Sequence, residues 1–202
     1  MRLSRKEIFL KSNEEFQTID EKSILNDYLI LLERELFIHF VEEGKNFTSS
    51  DKIERYIEKL FVNKNILINY EKVNINNKKY FVVYSIGEYK KLNYILGKNN
   101  KLEVLPFQIY ISKKIKKVKG KWDILIIKNR GTLYFILRIS GIVFQAINKK
   151  QDEVELLEDY ILKLRQMAEI NFNLSPLDER IISNFELEKE YNYKNNYIRV
   201  VI

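Results

Sequence analysis

Apolar residues recur at three- and four-residue spacing from about Glu21 to Glu43, where Ile24, Leu25, Tyr28, Leu32, Leu36 and Phe40 would line one side of a helix. Gly44 stands where such a helix would stop. Thr48 or Ser49 can cap a second helix, in which Ile53, Tyr56, Ile57 and Leu60 keep the same period. The pattern then changes. Ile66 to Val73 and Lys79 to Ile86 are rich in β-branched and aromatic residues, and Asn74 to Lys78 between them supplies turn chemistry, so a hairpin is predicted. Further strands are predicted at Leu102 to Ile111, Trp122 to Lys128 and Thr132 to Ile147, with Asn129-Arg130-Gly131 as a hairpin turn. Ser140-Gly141 is read as a bend or bulge inside the last of these. The helical period returns from Glu153 to Phe172 through Leu156, Leu157, Tyr160, Ile161, Leu164 and Met167. After Pro176, a short helical stretch is expected from Leu177 to Glu188 and a closing strand from Tyr197 to Ile202.

Together these elements predict an α+β protein, with N-terminal helices followed by an antiparallel sheet covered by a C-terminal helix. Residues 1–88 would form a helical region with a hairpin, in the layout of a winged helix. Residues 89–202 would hold the sheet, its covering helix and an acidic C-terminal segment, packed with the first part as one compact unit. A chain of 202 residues that is 46% apolar can bury a sizeable core. No apolar run reaches the roughly 18 residues of a membrane-spanning helix, and the start, MRLSRKEIFL, does not build the apolar middle of a secretory signal. A cytoplasmic protein without membrane contact is the expectation.

Candidate chemistry is narrowed by what the side chains can do. The chain has no Cys and a single His, His39, which excludes thiol nucleophiles, disulfides and zinc–thiolate sites and removes most His-based triads and metal sites. No catalytic residue, metal or cofactor is expected on this basis. Charge is unevenly distributed: residues 1–44 carry a net charge of −4, residues 45–150 of +16 and residues 151–202 of −5. A field of one sign attracts polyanions whatever the fold.

The densest positive charge is Lys113, Lys114, Lys116, Lys117, Lys119 and Lys121, with Lys128 and Arg130 close behind. Ammonium groups at such spacing can neutralise successive phosphates, while Tyr110 and Trp122 offer rings for stacking. In the winged-helix layout, Lys52, Arg55 and Lys59 on the second helix would enter a groove, and Lys78 and Lys79 would touch the backbone from the hairpin tip. The partner expected is therefore DNA, RNA or a nucleoprotein complex.

Three family resemblances add expectations of their own. The segment Asp123 to Phe172, with Lys128-x-Arg130-Gly131, Leu137-Arg138-x-Ser140, Lys149-Lys150 and Tyr160-Ile161-Leu162-Lys163-Leu164, resembles the C-terminal part of partition-associated proteins of spirochaete linear plasmids. That resemblance implies a role in plasmid maintenance and no catalytic residue. Arg34 and His39 are similar to the Arg-x4-His ribonuclease motif of all-helical HEPN domains. Asp123, followed by a strand, turn, strand and helix, is similar in layout to PD-(D/E)xK nucleases, although Arg138-Ile139-Ser140 stands where Glu-x-Lys is needed and Glu88-x-Lys90 precedes Asp123. The function expected is a non-catalytic nucleic-acid- or nucleoprotein-binding accessory protein of a plasmid or phage. Two alternatives stand beside it: a phage- or plasmid-encoded inhibitor or adaptor binding a host nucleoprotein effector such as a CRISPR complex, and a PD-(D/E)xK-like nuclease, active or degenerate.

Overall fold

The computed structural model describes residues 6–10, 28–33, 36–43, 52, 55–56, 59, 65–87, 103–187 and 197–201. At its centre is a five-stranded sheet in the order β11-β10-β7-β8-β9. β7 (Trp122–Asn129), β8 (Thr132–Ile139) and β9 (Ile142–Lys150) are antiparallel neighbours, whereas β10 (Glu179–Ser183) runs parallel to β7 and β11 (Tyr197–Arg199) parallel to β10. Two-residue turns join the first three strands. Arg130 and Gly131 have φ of 46° and 77°, and Ser140 and Gly141 of 53° and 89°. Two successive left-handed residues match the twist of the flanking strands. Ser140-Gly141 is thus a hairpin turn, and the long strand expected from Thr132 to Ile147 is two strands folded against each other.

Helices cover both faces of this sheet. Helix α1 (Phe107–Lys114) lies over the face carrying Asp123, Leu125 and Ile127 of β7 and Tyr134, Ile136 and Arg138 of β8, and Phe107 meets the Tyr134 ring at 4.7 Å. Helix α2 (Leu157–Phe172) covers the other face, stacking Tyr160 on Phe135 at 4.5 Å and burying Ile161, Leu164, Ala168 and Phe172. Covering on both sides explains why β7 and β8 are nearly continuous apolar runs without alternation.

The N-terminal half holds two smaller sheets. β1 (Lys6–Leu10), β2 (Tyr28–Leu32) and β6 (Glu103–Pro106) form a parallel sheet in the order β1-β2-β6. β3 (Leu36–Glu42), β4 (Asn65–Ile75) and β5 (Lys78–Gly87) form an antiparallel sheet in the order β3-β5-β4, with Asn76 and Asn77 at φ 49° and 64° in the β4–β5 turn. An aromatic cluster joins this half to the rest. Phe172 of α2 lies 5.0 Å from Phe40, 5.5 Å from Tyr80 and 4.7 Å from Phe144, and the buried Tyr84 hydroxyl donates to the Val143 carbonyl at 3.0 Å.

The structure overturns the expected fold class. In place of a first helix over Glu21 to Glu43, its described residues form β2 and β3, so the winged-helix layout loses that helix. Leu29, Ile30, Leu31 and Leu32 are all buried, as a strand between two parallel neighbours requires. Residues at Leu102 to Ile111 form the short β6 and the start of α1 instead of one strand. Leu177 to Glu188 contributes β10 after a single 3-10 turn, Pro176–Asp178, instead of a helix. The main sheet is mixed instead of antiparallel. The β4–β5 and β7–β8 hairpins, α2 over the sheet and the closing strand β11 stand where the sequence placed them.

Because Phe172 is 3% exposed and touches three rings from other elements, Phe172→Ala should lower stability by about 3–5 kcal/mol. Urea denaturation followed by circular dichroism checks this value.

Candidate basic interface

The lysine ridge begins where α1 ends. Lys113 and Lys114 occupy its last turn, Ile115 caps it in extended conformation, and Lys116, Lys117 and Lys119 follow in the loop to β7. All five lysines are exposed, while Ile115 is buried beneath them. Among the described residues, Lys113, Lys116, Lys117 and Lys119 make no ion pair, and the Lys114 ammonium lies 5.0 Å from the Tyr110 ring centre. The stem of Lys117 lies across the β8–β9 turn, so that a Cβ on Gly141 would come within 2.8 Å of its Cδ.

A buried ionic cluster fixes this ridge. Arg138 is fully buried and donates through Nη1 to the carbonyls of Ser112 (2.6 Å) and Ile115 (2.7 Å), the oxygens that an α-helix leaves unsatisfied at its C-terminus. Its Nε reaches Asp123 Oδ2 at 2.7 Å, and Asp123 Oδ1 accepts from Arg180 Nε at 2.6 Å. Arg180 continues to the Lys116 carbonyl at 3.4 Å. On the opposite face, Arg165 of α2 makes a two-pronged pair with Glu179 of β10, both bonds at 2.7 Å, and that carboxylate raises the Arg165 pKa above its ordinary value. Sequence reasoning missed Arg138, Arg180 and the Arg165–Glu179 pair. For Arg138 the signal was a lone charge within the otherwise apolar β8; Glu179 and Arg180 stand side by side in β10 and Arg165 in α2.

The remaining residues predicted for the interface are dispersed. Lys121 is bound to Asp178 at 2.9 Å and to the Leu177 carbonyl at 3.1 Å, so its charge is locally neutralised. Lys128 and Arg130 lie at the far end of β7, about 20 Å from the ridge end at the rise of an antiparallel strand. There the backbone of Lys128 is bonded in both directions to the Asn184 amide, and Asn129 donates to Glu33. Gln151 N–H reaches the Gly131 carbonyl at 2.9 Å, which sets the exposed Asp152 and Glu153 beside Arg130. Lys52, Arg55 and Lys59 are helical and exposed, and their spacing gives them one shared face. At the β4–β5 turn, Lys78 pairs with Glu42 at 3.0 Å, which raises its pKa, and Lys79 with Glu43 at 3.9 Å.

The nuclease candidates fare differently. Both oxygens of Asp123 are engaged by guanidinium groups, so it serves as a structural anion instead of a magnesium ligand. His39 lies on strand β3 opposite Val83, not on a helix, while Arg34, Glu88 and Lys90 lie outside the described residues. Among the described residues, no group of three His, Asp or Glu could hold a metal ion, and no helix is long and apolar enough to cross a membrane.

No family model matches the chain, and no curated protein matches it. Among solved structures, the cytoplasmic domain of EpsL, an inner membrane component of the type II secretion system of Vibrio cholerae, matches 90% of this chain and 73% of its own at a TM-score of 0.50 and 10% identity. In fold, the chain is similar to that domain. Lesser likenesses, with TM-scores of 0.43 and 0.45, link it to two other structures. One is a Bacteroides thetaiotaomicron protein described as having an actin-like ATPase fold (11% identity, 86% and 68% covered). The other is the PilM-PilN type IV pilus biogenesis complex (7% identity, 93% and 74% covered).

Breaking the buried cluster should be costly, because it leaves Oδ2 of the buried Asp123 and two helix-end carbonyls without their donor, with only Arg180 still on Oδ1. Arg138→Met is expected to lose about 3–5 kcal/mol, and Asp123→Leu with Arg138→Met less than the sum of the two single changes. Chemical denaturation of the three variants checks both statements.

Proposed function

We propose that this chain is a non-catalytic docking module of a multi-protein assembly, and that the ridge from Lys113 to Lys119 is its contact with an acidic partner. The observation that carries this reading is the fold likeness to the EpsL cytoplasmic domain over 90% of the chain, since that domain is described as part of a secretion machine. Fold alone does not fix function, but the charge layout agrees. The ridge is at one end of β7. The second cationic group, Lys128 and Arg130, is at the other end and is bordered by exposed Asp152 and Glu153. That end also holds exposed Lys149 and Lys150, the latter paired with Glu153 at 3.7 Å, so the ridge is set apart by Lys113, Lys116, Lys117 and Lys119, which make no ion pair among the described residues. Asn129 at the end of β7 donates to Glu33, and Gln108 of α1 donates to Asn148 of β9 at 3.0 Å.

A second reading, a nucleic-acid- or nucleoprotein-binding accessory protein, is favoured by the exposed lysines that make no ion pair. Size-exclusion of native lysate before and after nuclease treatment separates the two. The docking reading expects elution well above the 24.4 kDa monomer that persists after DNase and RNase. A shift to the monomer position after nuclease transfers the function to nucleic acid, and monomer throughout rejects both. Replacing Lys113, Lys114, Lys116 and Lys117 by Gln should release the chain from its complex in either case, since each loses the charges that hold it.

A further inference from the structure

Next to the ridge, the main sheet ends in a strand whose outer edge no described strand covers. β11 pairs with β10 in parallel, with Ile182 opposite Ile198 and Ser183 opposite Arg199, and the Val200 N–H donates to the Ser183 carbonyl at 2.8 Å. In a parallel ladder, alternate residues direct both backbone groups to the same neighbour. Ile198 and Val200 therefore point theirs at β10, while Tyr197, Arg199 and Val201 point theirs outward. An outward row of this kind is a template for one more strand.

A groove of about 370 Å³ runs along the same edge, lined by Tyr110, Lys114, Ile115 and Lys116 from the α1 side and by Val200 and Val201 from the strand. Its floor is apolar and its rim is cationic. Val201 is fully exposed and Ile198 is 39% exposed, which leaves apolar side chains uncovered beside the open ladder. The groove wall is held in place, because Arg138 fixes the Ile115 carbonyl and Arg180 reaches that of Lys116.

We infer that this edge and groove take an extended acidic peptide segment of a partner protein by strand addition to β11. The ladder supplies main-chain hydrogen bonds, the groove accepts alternate apolar side chains, and carboxylates meet Lys114 and Lys116 at its rim. Charge complementarity selects this occupant. A bare apolar strand would leave the exposed Lys116, which makes no ion pair among the described residues, unanswered, and a nucleic acid has no backbone N–H to complete the ladder. The inference rests on the docking reading for the existence of a partner, whereas its test addresses the groove itself.

The test is fluorescence polarisation with the full chain and a labelled decapeptide, Asp-Glu-Val-Thr-Val-Thr-Val-Thr-Asp-Glu, whose valines share one face and whose ends are acidic. Saturable binding is expected. Arg199→Pro removes only an outward N–H, which an edge strand tolerates, and should weaken binding at least about tenfold more than Arg199→Ala, the loss of a hydrogen bond to the ladder. Lys114→Glu with Lys116→Glu should weaken it by a similar factor, while α2 and the thermal midpoint stay unchanged. Three outcomes overturn the inference: no polarisation change up to about 1 mM peptide, the affinity floor of weak binding; equal affinities of the Ala and Pro variants, which would mean surface adsorption; or displacement of the peptide by single-stranded RNA at equal charge, which would make the groove part of a nucleic-acid site. Persistence of the nuclease-resistant complex in lysate alongside any of these would remove the groove and keep the docking module.

Discussion

Everything on the α1 side of the main sheet depends on the guanidinium of Arg138. Helix α1 has eight residues, too few to be stable alone in water. Its C-terminal carbonyls face the protein interior, where water cannot reach them. Arg138 satisfies two of them and places a positive charge at the negative end of the helix dipole. That charge would be expensive in a buried position without Asp123, and Asp123 is in turn held by Arg180. One anion between two cations links β7, β8, β10 and α1 in a single cluster. Since the helix end is tied inward through its backbone, the lysine side chains that follow have only the outside to occupy.

The same constraint explains how the two ends of the chain's positive charge come apart. β7 carries the cluster at its Asp123 end and a different polar set, Asn129 with Glu33, at the other. Between them run Ile124, Leu125, Ile126 and Ile127, buried by α1 on one face and α2 on the other, before the exposed Lys128. The cations that flank β7, the ridge at one end and Lys128 with Arg130 at the other, therefore stand at opposite ends of an apolar layer. The acidic residues after β9 return to the Arg130 end through the Gln151–Gly131 bond. Net charge by segment is a property of sequence, whereas the field a partner meets is set by which strand end each residue reaches.

This is also where sequence reading reached its limit. Tyr28, Leu32, Leu36 and Phe40 are four residues apart, and a spacing of four returns to the same side in a strand as well as in a helix. The pattern over Glu21 to Glu43 could not separate the two periods, and the buried run Leu29 to Leu32 belongs to a strand with parallel neighbours. Turns were more legible. Asn76-Asn77 and Arg130-Gly131 carry residue types that tolerate left-handed backbone, and the strands beside them were found. Ser140-Gly141 has the same chemistry, but the apolar residues on both sides hid the reversal. α2 was legible because it is long and covers only one face. For the candidate site, exposure of the lysines followed from their charge, while their fixation did not. Asp123 opposite Arg138 is a fact of register, and register is invisible until the turn between them is known to hold two residues.

What the fold contributes to recognition is geometry more than chemistry. The fold likeness to the EpsL cytoplasmic domain extends over 90% of the chain at 10% identity, so the likeness is one of architecture. Features of this chain's own sequence must then carry its specificity, and the ridge is the most concentrated of them. Exposed ammonium groups on a surface act over about 8 Å at physiological salt, enough to guide an acidic partner but not to register it. Registration needs directional contacts at fixed positions. The outward backbone groups of β11 provide them beside the ridge, and the Arg138 cluster holds both to the same sheet, so that in the docking proposed above attraction and alignment act on one partner at one place.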